Sequence, residues 1–218
     1  RLLAERYPAS PRILADCFSG GIDYFPYDAK AVLRDCSDIS AIALGEGESI
    51  LPELLRRMLS GKSPVGMERV AWRRGRSNTP VCGAVPGRKR ASLKGMPPPA
   101  YDLLDMEAFF ALQKRAISED LVHEFHEPVR ILPWMATRGC PFACRFCAGQ
   151  AFGSRQRRGP VEQVLEQLKE AVDRFGAQRI FFMDDCINAN PDWFDGLCRG
   201  LARLNLPWEA PNGLRARE

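Results

Sequence analysis

Thr137-Arg138-Gly139-Cys140-Pro141-Phe142-Ala143-Cys144-Arg145-Phe146-Cys147 packs three thiols into eight residues. The spacing, C-x3-C-x2-C, lets Cys140, Cys144 and Cys147 reach one metal centre without help from distant parts of the chain. Gly139 and Pro141 keep the stretch from becoming helix and let its backbone wrap around a cluster. A 4Fe-4S cluster ordinarily takes four thiolates, so a loop offering three leaves one iron open to a ligand that is not protein.

The flanks of this loop read as strands and helices in alternation. Residues 129–136 are an apolar run short enough for a strand, which delivers the thiols at its C-terminal end. In parallel α/β barrels the chemistry sits on the loops that follow the strands, so the loop lies where a site belongs. After it, Gly159-Pro160 opens a helix with Val161, Val164, Leu165, Leu168, Val172 and Phe175 on one stripe and Gly176 as its cap. Residues 179–183 read as a second buried strand that ends in Asp184-Asp185. These two carboxylates suit metal ligation, acid/base work or, more plainly, a loop and helix start. Asn190-Pro191 caps the next helix, which turns Trp193, Phe194, Leu197, Leu201 and Leu204 inward. A third strand over residues 206–211 leads into Asn212-Gly213-Leu214-Arg215-Ala216, two residues before the last.

Other chemistries fit the thiols less well. A zinc site would draw a fourth ligand from Cys186, His123 or His126, yet structural zinc usually shows two separated ligand pairs and no second pair is present. Three idle cysteines are disfavoured by their crowding, whereas Cys186 and Cys198 have no partner spacing and read as core or incidental. His123 and His126 stand three apart without the carboxylates of a zinc protease, and read as ordinary surface or core histidines.

The 218 residues, 45% of them apolar, can bury a sizeable core in one large or two small domains. No apolar run reaches membrane-spanning length, and Arg1-Leu2-Leu3-Ala4-Glu5-Arg6 lacks the apolar core of a signal peptide. Eight cysteines without a secretion signal point to a reducing compartment and metal use, so a cytoplasmic location is expected. The net charge of +4 is small, and the basic patch at Arg155, Arg157 and Arg158 reads as solvated surface, not nucleic-acid contact.

The N-terminal half follows a related strand and helix pattern. Residues 11–16 form a short buried strand before a Ser19-Gly20-Gly21 turn, residues 29–36 a helix, and residues 39–44 a second buried strand. Gly45-Glu46-Gly47-Glu48 follows, and then Ile50, Leu51, Leu54, Leu55, Met58 and Leu59 at helical spacing, closed by Gly61. The glycines do not make a dinucleotide loop: Ile50 stands at the third glycine position, and two glutamates would repel a pyrophosphate. From residue 62 to about 99, glycine, proline and basic residues break every period, with a small hairpin over 70–85 around Arg73, Gly75 and Asn78. The Pro97-Pro98-Pro99 stretch continues this linker, and residues 103–112 supply a short helix.

The cysteine spacing, Phe146 just before the third cysteine, and Arg138-Gly139-Cys140-Pro141-Phe142 resemble the radical S-adenosylmethionine enzymes, in particular the subgroup with a cobalamin-binding domain. The resemblance implies an α/β fold: the C-terminal part of a Rossmann-like cobalamin-binding domain over 1–61, a linker over 62–128, and over 129–218 the first half of a partial (β/α)6 radical SAM barrel. Three strand and helix units are too few to close such a barrel, and the chain starts without methionine, so a fragment of a longer protein is expected. It further implies that Cys140, Cys144 and Cys147 ligate a 4Fe-4S cluster whose open iron chelates S-adenosylmethionine. Phe146 would pack beside the adenine, and Met183, Asp184 and Asp185 would meet the methionine amino group, partly through backbone carbonyls. Asn212 belongs to an Asn-Gly-Leu-Arg segment like that of the family.

Reductive cleavage of S-adenosylmethionine to a 5′-deoxyadenosyl radical is then the reaction, with methyl transfer to an unreactive carbon of a small-molecule substrate if cobalamin is bound. A reductase, flavodoxin or ferredoxin would supply the electron. The family's Asp-x-His-x-x-Gly cobalamin motif does not occur in the chain, and Ile187 replaces the second aromatic of the family's Phe-x-Asp-Asp-x-Phe. A plain iron-sulfur electron carrier and a zinc-stabilised binding module are the rival readings.

Overall fold

Ala41, Ile42 and Ala43 are completely buried, and the N-terminal unit is assembled around them. The computed structural model describes residue 6 and residues 10–15, 29–74, 79–84, 92–119, 130–147 and 155–216. Two compact units result, Arg1–Ala91 and Ser92–Glu218. The Ser19-Gly20-Gly21 turn, His123 and His126 lie outside the described residues.

In the first unit, strands β1 (Ile13–Ala15), β2 (Ala41–Ala43), β3 (Val70–Arg74) and β4 (Thr79–Cys82) form one sheet in that order. β1 and β2 are parallel, and the β3–β4 hairpin adds to β2 antiparallel. Residues 70–82, expected within a linker, are therefore part of the first sheet. Val70 and Ala71 are fully buried against it, which gives the hairpin an apolar reason to pair.

Helix α1 (Ala29–Asp35) packs on one face through Leu33, and α2 (Leu51–Leu59) on the other through Leu54 and Met58. The expected stripe on α2 holds for Ile50, Leu51, Leu54 and Met58. Leu55 and Leu59 are exposed, Leu59 by 72%, because a nine-residue helix on a small sheet buries only part of its circumference. Gly61 adopts a left-handed φ of 69°, and Lys62 N–H donates to the Arg57 carbonyl at 2.8 Å, closing the helix as its glycine predicts.

The second unit is a parallel sheet of β5 (Ile131–Trp134), β8 (Arg179–Phe182) and β9 (Trp208–Glu209), with β8 central. A separate two-stranded ladder joins β6 (Thr137–Arg138) and β7 (Arg157–Arg158). Helices α3 (Met106–Ser118), α4 (Val161–Phe175) and α5 (Pro191–Arg203) cover the parallel sheet. Every residue of the two stripes read on α4 and α5 belongs to its core.

The free edge of β5 is closed by side chains. Gln113 on α3 accepts from Ile131 N–H at 2.8 Å and donates to the Ile131 carbonyl at 3.0 Å, while the Tyr101 hydroxyl donates to the Pro133 carbonyl. Pro133 has no N–H to leave unpaired, as suits an edge strand. The proline-rich stretch is held too: Gln163 and Gln167 on α4 donate to the carbonyls of Leu93 and Met96 at 3.0 and 2.8 Å. Among the described residues no helix is long and apolar enough to cross a membrane.

Candidate functional site

Parallel pairing sets the ends of β5 and β8 level, because Trp134 lies opposite Phe182. Met183 N–H extends the register by donating to the Trp134 carbonyl at 2.8 Å. Ala136 and Asp184 each stand two residues beyond these strand ends, facing one another. Ala136 N–H donates to Asp184 Oδ2 at 3.2 Å and Thr137 N–H donates to Asp184 Oδ1. Asp184 is only 3% exposed, and burial raises its pKa to about 6 against the lowering effect of these hydrogen bonds.

From Thr137 the chain enters β6 and the cysteine loop, and it returns through β7, so Thr137–Arg158 and Arg138–Arg157 pairs close the base of the loop. Gln156 Nε2 donates to the Cys186 carbonyl at 2.6 Å and to Thr137 Oγ1 at 3.3 Å, fixing the same base to the loop after β8. Gly139 takes a φ of 83°, the left-handed turn that its lack of a side chain permits.

Beyond that turn Cys140 is half-buried, whereas Cys144 and Cys147 are exposed. Cys147 N–H donates to the Cys144 carbonyl at 3.0 Å in a tight turn. Among the described residues no group of three or more His, Cys, Asp or Glu side chains is set to hold a metal ion, so the thiols share one loop without converging on a point. Burial first, then the charges of Asp185, Cys144 and Cys147, push the Cys140 thiol upward, with a backbone hydrogen bond at Phe142 opposing. Soft thiolates on a short exposed loop suit iron. In donor chemistry, though not in convergence, the three cysteines fit an iron–sulfur cluster.

Phe146 is 93% exposed. Met183 and Asp184 carbonyls accept from Asn212 Nδ2 at 3.4 and 3.1 Å, which joins the ends of β8 and β9. Asp185 is half-buried with its Oδ2 shielded and without a hydrogen-bond partner, and burial raises its pKa. Ile187 is 1% exposed within the core of this unit, so an aliphatic side chain fills the position where an aromatic was expected. Cys186 is buried, its thiol donates to Asn188 Oδ1 at 3.5 Å, and burial followed by the charge of Cys140 raises its pKa.

Sequence reasoning missed Gln156, Asn188 and the β6–β7 ladder. A lone glutamine among arginines and a two-residue ladder carry no periodic signal.

The second unit is an α/β fold with a thiol-bearing loop at the C-terminal ends of its parallel strands and two acidic residues after the next strand. Residues 134–211, within the second unit, match the Radical SAM superfamily. The chain is 29% identical over 171 residues to an uncharacterized methyltransferase of Pyrococcus horikoshii, covering 78% of this chain and 33% of that protein. With the cytidylyl-2-hydroxyethylphosphonate methyltransferase of Streptomyces wedmorensis it shares 25% identity over 213 residues, 87% of this chain and 37% of the relative. The chain therefore spans about a third of the length of these relatives.

Among solved structures, its fold resembles the radical S-adenosylmethionine methyltransferase TsrM of Kitasatospora setae, solved with cobalamin and a [4Fe-4S] cluster (TM-score 0.56, 15% identity, 89% of this chain and 34% of that one). It also resembles the cobalamin-dependent S-adenosylmethionine radical enzyme OxsB (TM-score 0.55, 16% identity, 91% and 25%).

Proposed function

We propose that the protein is a radical S-adenosylmethionine methyltransferase in which Cys140, Cys144 and Cys147 hold a 4Fe-4S cluster. The observation that carries this reading is the three-thiol loop leaving the C-terminal end of β5 beside the end of β8, within the stretch that matches the superfamily. A cluster held by these cysteines would supply one electron to the sulfonium of S-adenosylmethionine, whose C–S bond would break to give methionine and the 5′-deoxyadenosyl radical.

The chain's own residues bind and orient. Asp185, with a shielded and unpartnered carboxylate oxygen, accepts the methionine ammonium. Phe146 gives the adenine an exposed ring to stack on. Asn212 holds the Met183 and Asp184 carbonyls in place at the end of β8, where they would meet the methionine moiety. A flavodoxin, ferredoxin or reductase supplies the electron, and a small molecule accepts the methyl group.

Cobalamin is proposed for the whole protein, on its likeness to TsrM and OxsB. Residues 1–91 contain no histidine and no Asp-x-His-x-x-Gly, so they offer no imidazole to cobalt.

Anaerobic reconstitution of the whole protein with iron and sulfide, then dithionite and S-adenosylmethionine, tests the reading. A brown protein that releases 5′-deoxyadenosine supports it. A brown protein that releases none is an electron carrier, and a colourless one that retains zinc is a binding module; either outcome overturns it.

A further inference from the structure

We propose that Asp184 is a positioning residue that fixes the take-off of the cysteine loop from β5, and that it does not itself meet S-adenosylmethionine. This division of labour rests on the function proposed above. Asp184 is almost wholly buried, and its two carboxylate oxygens are each occupied by a different backbone donor, Ala136 N–H and Thr137 N–H.

Thr137 is consequently held three ways. Asp184 takes its N–H, Arg158 pairs with it across the ladder, and Gln156 reaches its hydroxyl at 3.3 Å. It stands three residues before Cys140, so the direction in which the chain enters the loop is set before any ligand arrives. Asp185 is the complement: half-buried, with one shielded oxygen lacking a donor. One of two adjacent carboxylates is spent on the scaffold, and the other is available to a cationic ligand.

Asp184→Asn keeps the shape but sets an amide N–H₂ against one of the two backbone donors. In the full chain before any metal is added, amide hydrogen exchange at Ala136 and Thr137 should speed up at least about tenfold in Asp184→Asn and stay unchanged in Asp185→Asn. After anaerobic reconstitution, Asp184→Asn should bind less than half of the wild-type iron and show an altered electron paramagnetic resonance spectrum of the reduced cluster. Asp185→Asn should keep its iron and weaken S-adenosylmethionine at least tenfold.

The inference is overturned if Asp184→Asn retains wild-type exchange, or if it loads iron normally and loses only S-adenosylmethionine affinity. If that variant does not fold, the wild-type protein decides: slow exchange at both amides supports the clamp, and the rate of an open loop refutes it. Failure of the wild type to take up iron would sink the proposed function while leaving the exchange result to judge the clamp.

Discussion

The guanidinium of Arg215 lies over the ring of Phe142, 4.4 Å from its centroid, and so joins the segment after β9 to the cysteine loop. Asn188 braces the arginine from below: its Nδ2 donates to the Arg215 carbonyl at 2.7 Å and its Oδ1 accepts from Arg215 N–H at 3.0 Å. Three loops that follow three parallel strands are thus tied together on the side where the thiols sit. An exposed cation–π contact contributes only about 0.5–1 kcal/mol. Arg215→Ala should therefore shift global stability by less than about 1 kcal/mol. It should nevertheless loosen the loop, seen as faster proteolytic cleavage after residues 142–147 and a several-fold weaker grip on S-adenosylmethionine in the reconstituted protein. Unchanged cleavage and affinity would remove any role for the contact.

Burial of Asp184 has a signature in stability. Its pKa in the folded state, about 6, lies above the 3.8 of an unperturbed aspartate, so the folded chain holds this proton where the unfolded chain has released it. By linkage its contribution is fully present below about pH 4 and is lost as pH rises through 6, a difference on the order of 3 kcal/mol. Denaturant unfolding of the second unit, followed by the fluorescence of Trp134, Trp193 and Trp208, should show wild type gaining on Asp184→Asn between pH 7 and pH 5. A stability difference flat over that range would contradict the buried charge.

The helices α4 and α5 were legible because their apolar residues recur at helical period with Gly176 and Asn190 marking an end and a start, and both markers act as read: Gly176 has φ 65° and Asn190 accepts from Trp193 N–H. The three cysteines stood out as a candidate site because they are local in sequence. What holds the loop was not, since Asp184–Thr137 and Gln156–Cys186 are contacts 47 and 30 residues apart that depend on strand register. The β3–β4 hairpin was seen as a hairpin but not as part of a sheet, because glycine, proline and arginine around it hide the two apolar residues, Val70 and Ala71, that dock it.

Tyr101 and Gln113 close the open edge of β5, and their removal should be felt there. Gln113→Ala leaves the buried Ile131 N–H and carbonyl without partners, which costs about 1–3 kcal/mol. Tyr101 adds a pH dependence: burial pushes its phenol up to about 12 from 10.0, so the neutral hydroxyl is favoured by folding. Its contribution is intact below pH 10 and disappears as pH climbs through 12. Tyr101→Phe should abolish that alkaline fall in stability, measured by unfolding at pH 9 and pH 11; a variant that still shows it would place the titration elsewhere.

Gly200 on α5 is the close-approach point with α4. A methyl group built on it would come within 2.1 Å of Leu165 Cδ1 and 2.9 Å of Leu165 Cγ, nearer than real side chains tolerate. Helix propensity alone favours alanine over glycine by about 1 kcal/mol, so an exposed site would be stabilised by Gly200→Ala. Here overpacking opposes it, at about 1–3 kcal/mol, and since Gly200 is buried the clash should win or nearly cancel the gain. The double variant separates the two effects. Leu165→Ala alone opens a cavity and should cost about 2–5 kcal/mol. With the leucine gone, Gly200→Ala meets no obstacle and should become stabilising, so the two changes together cost less than their sum. Strict additivity in denaturant unfolding would mean that the helices do not meet at this pair.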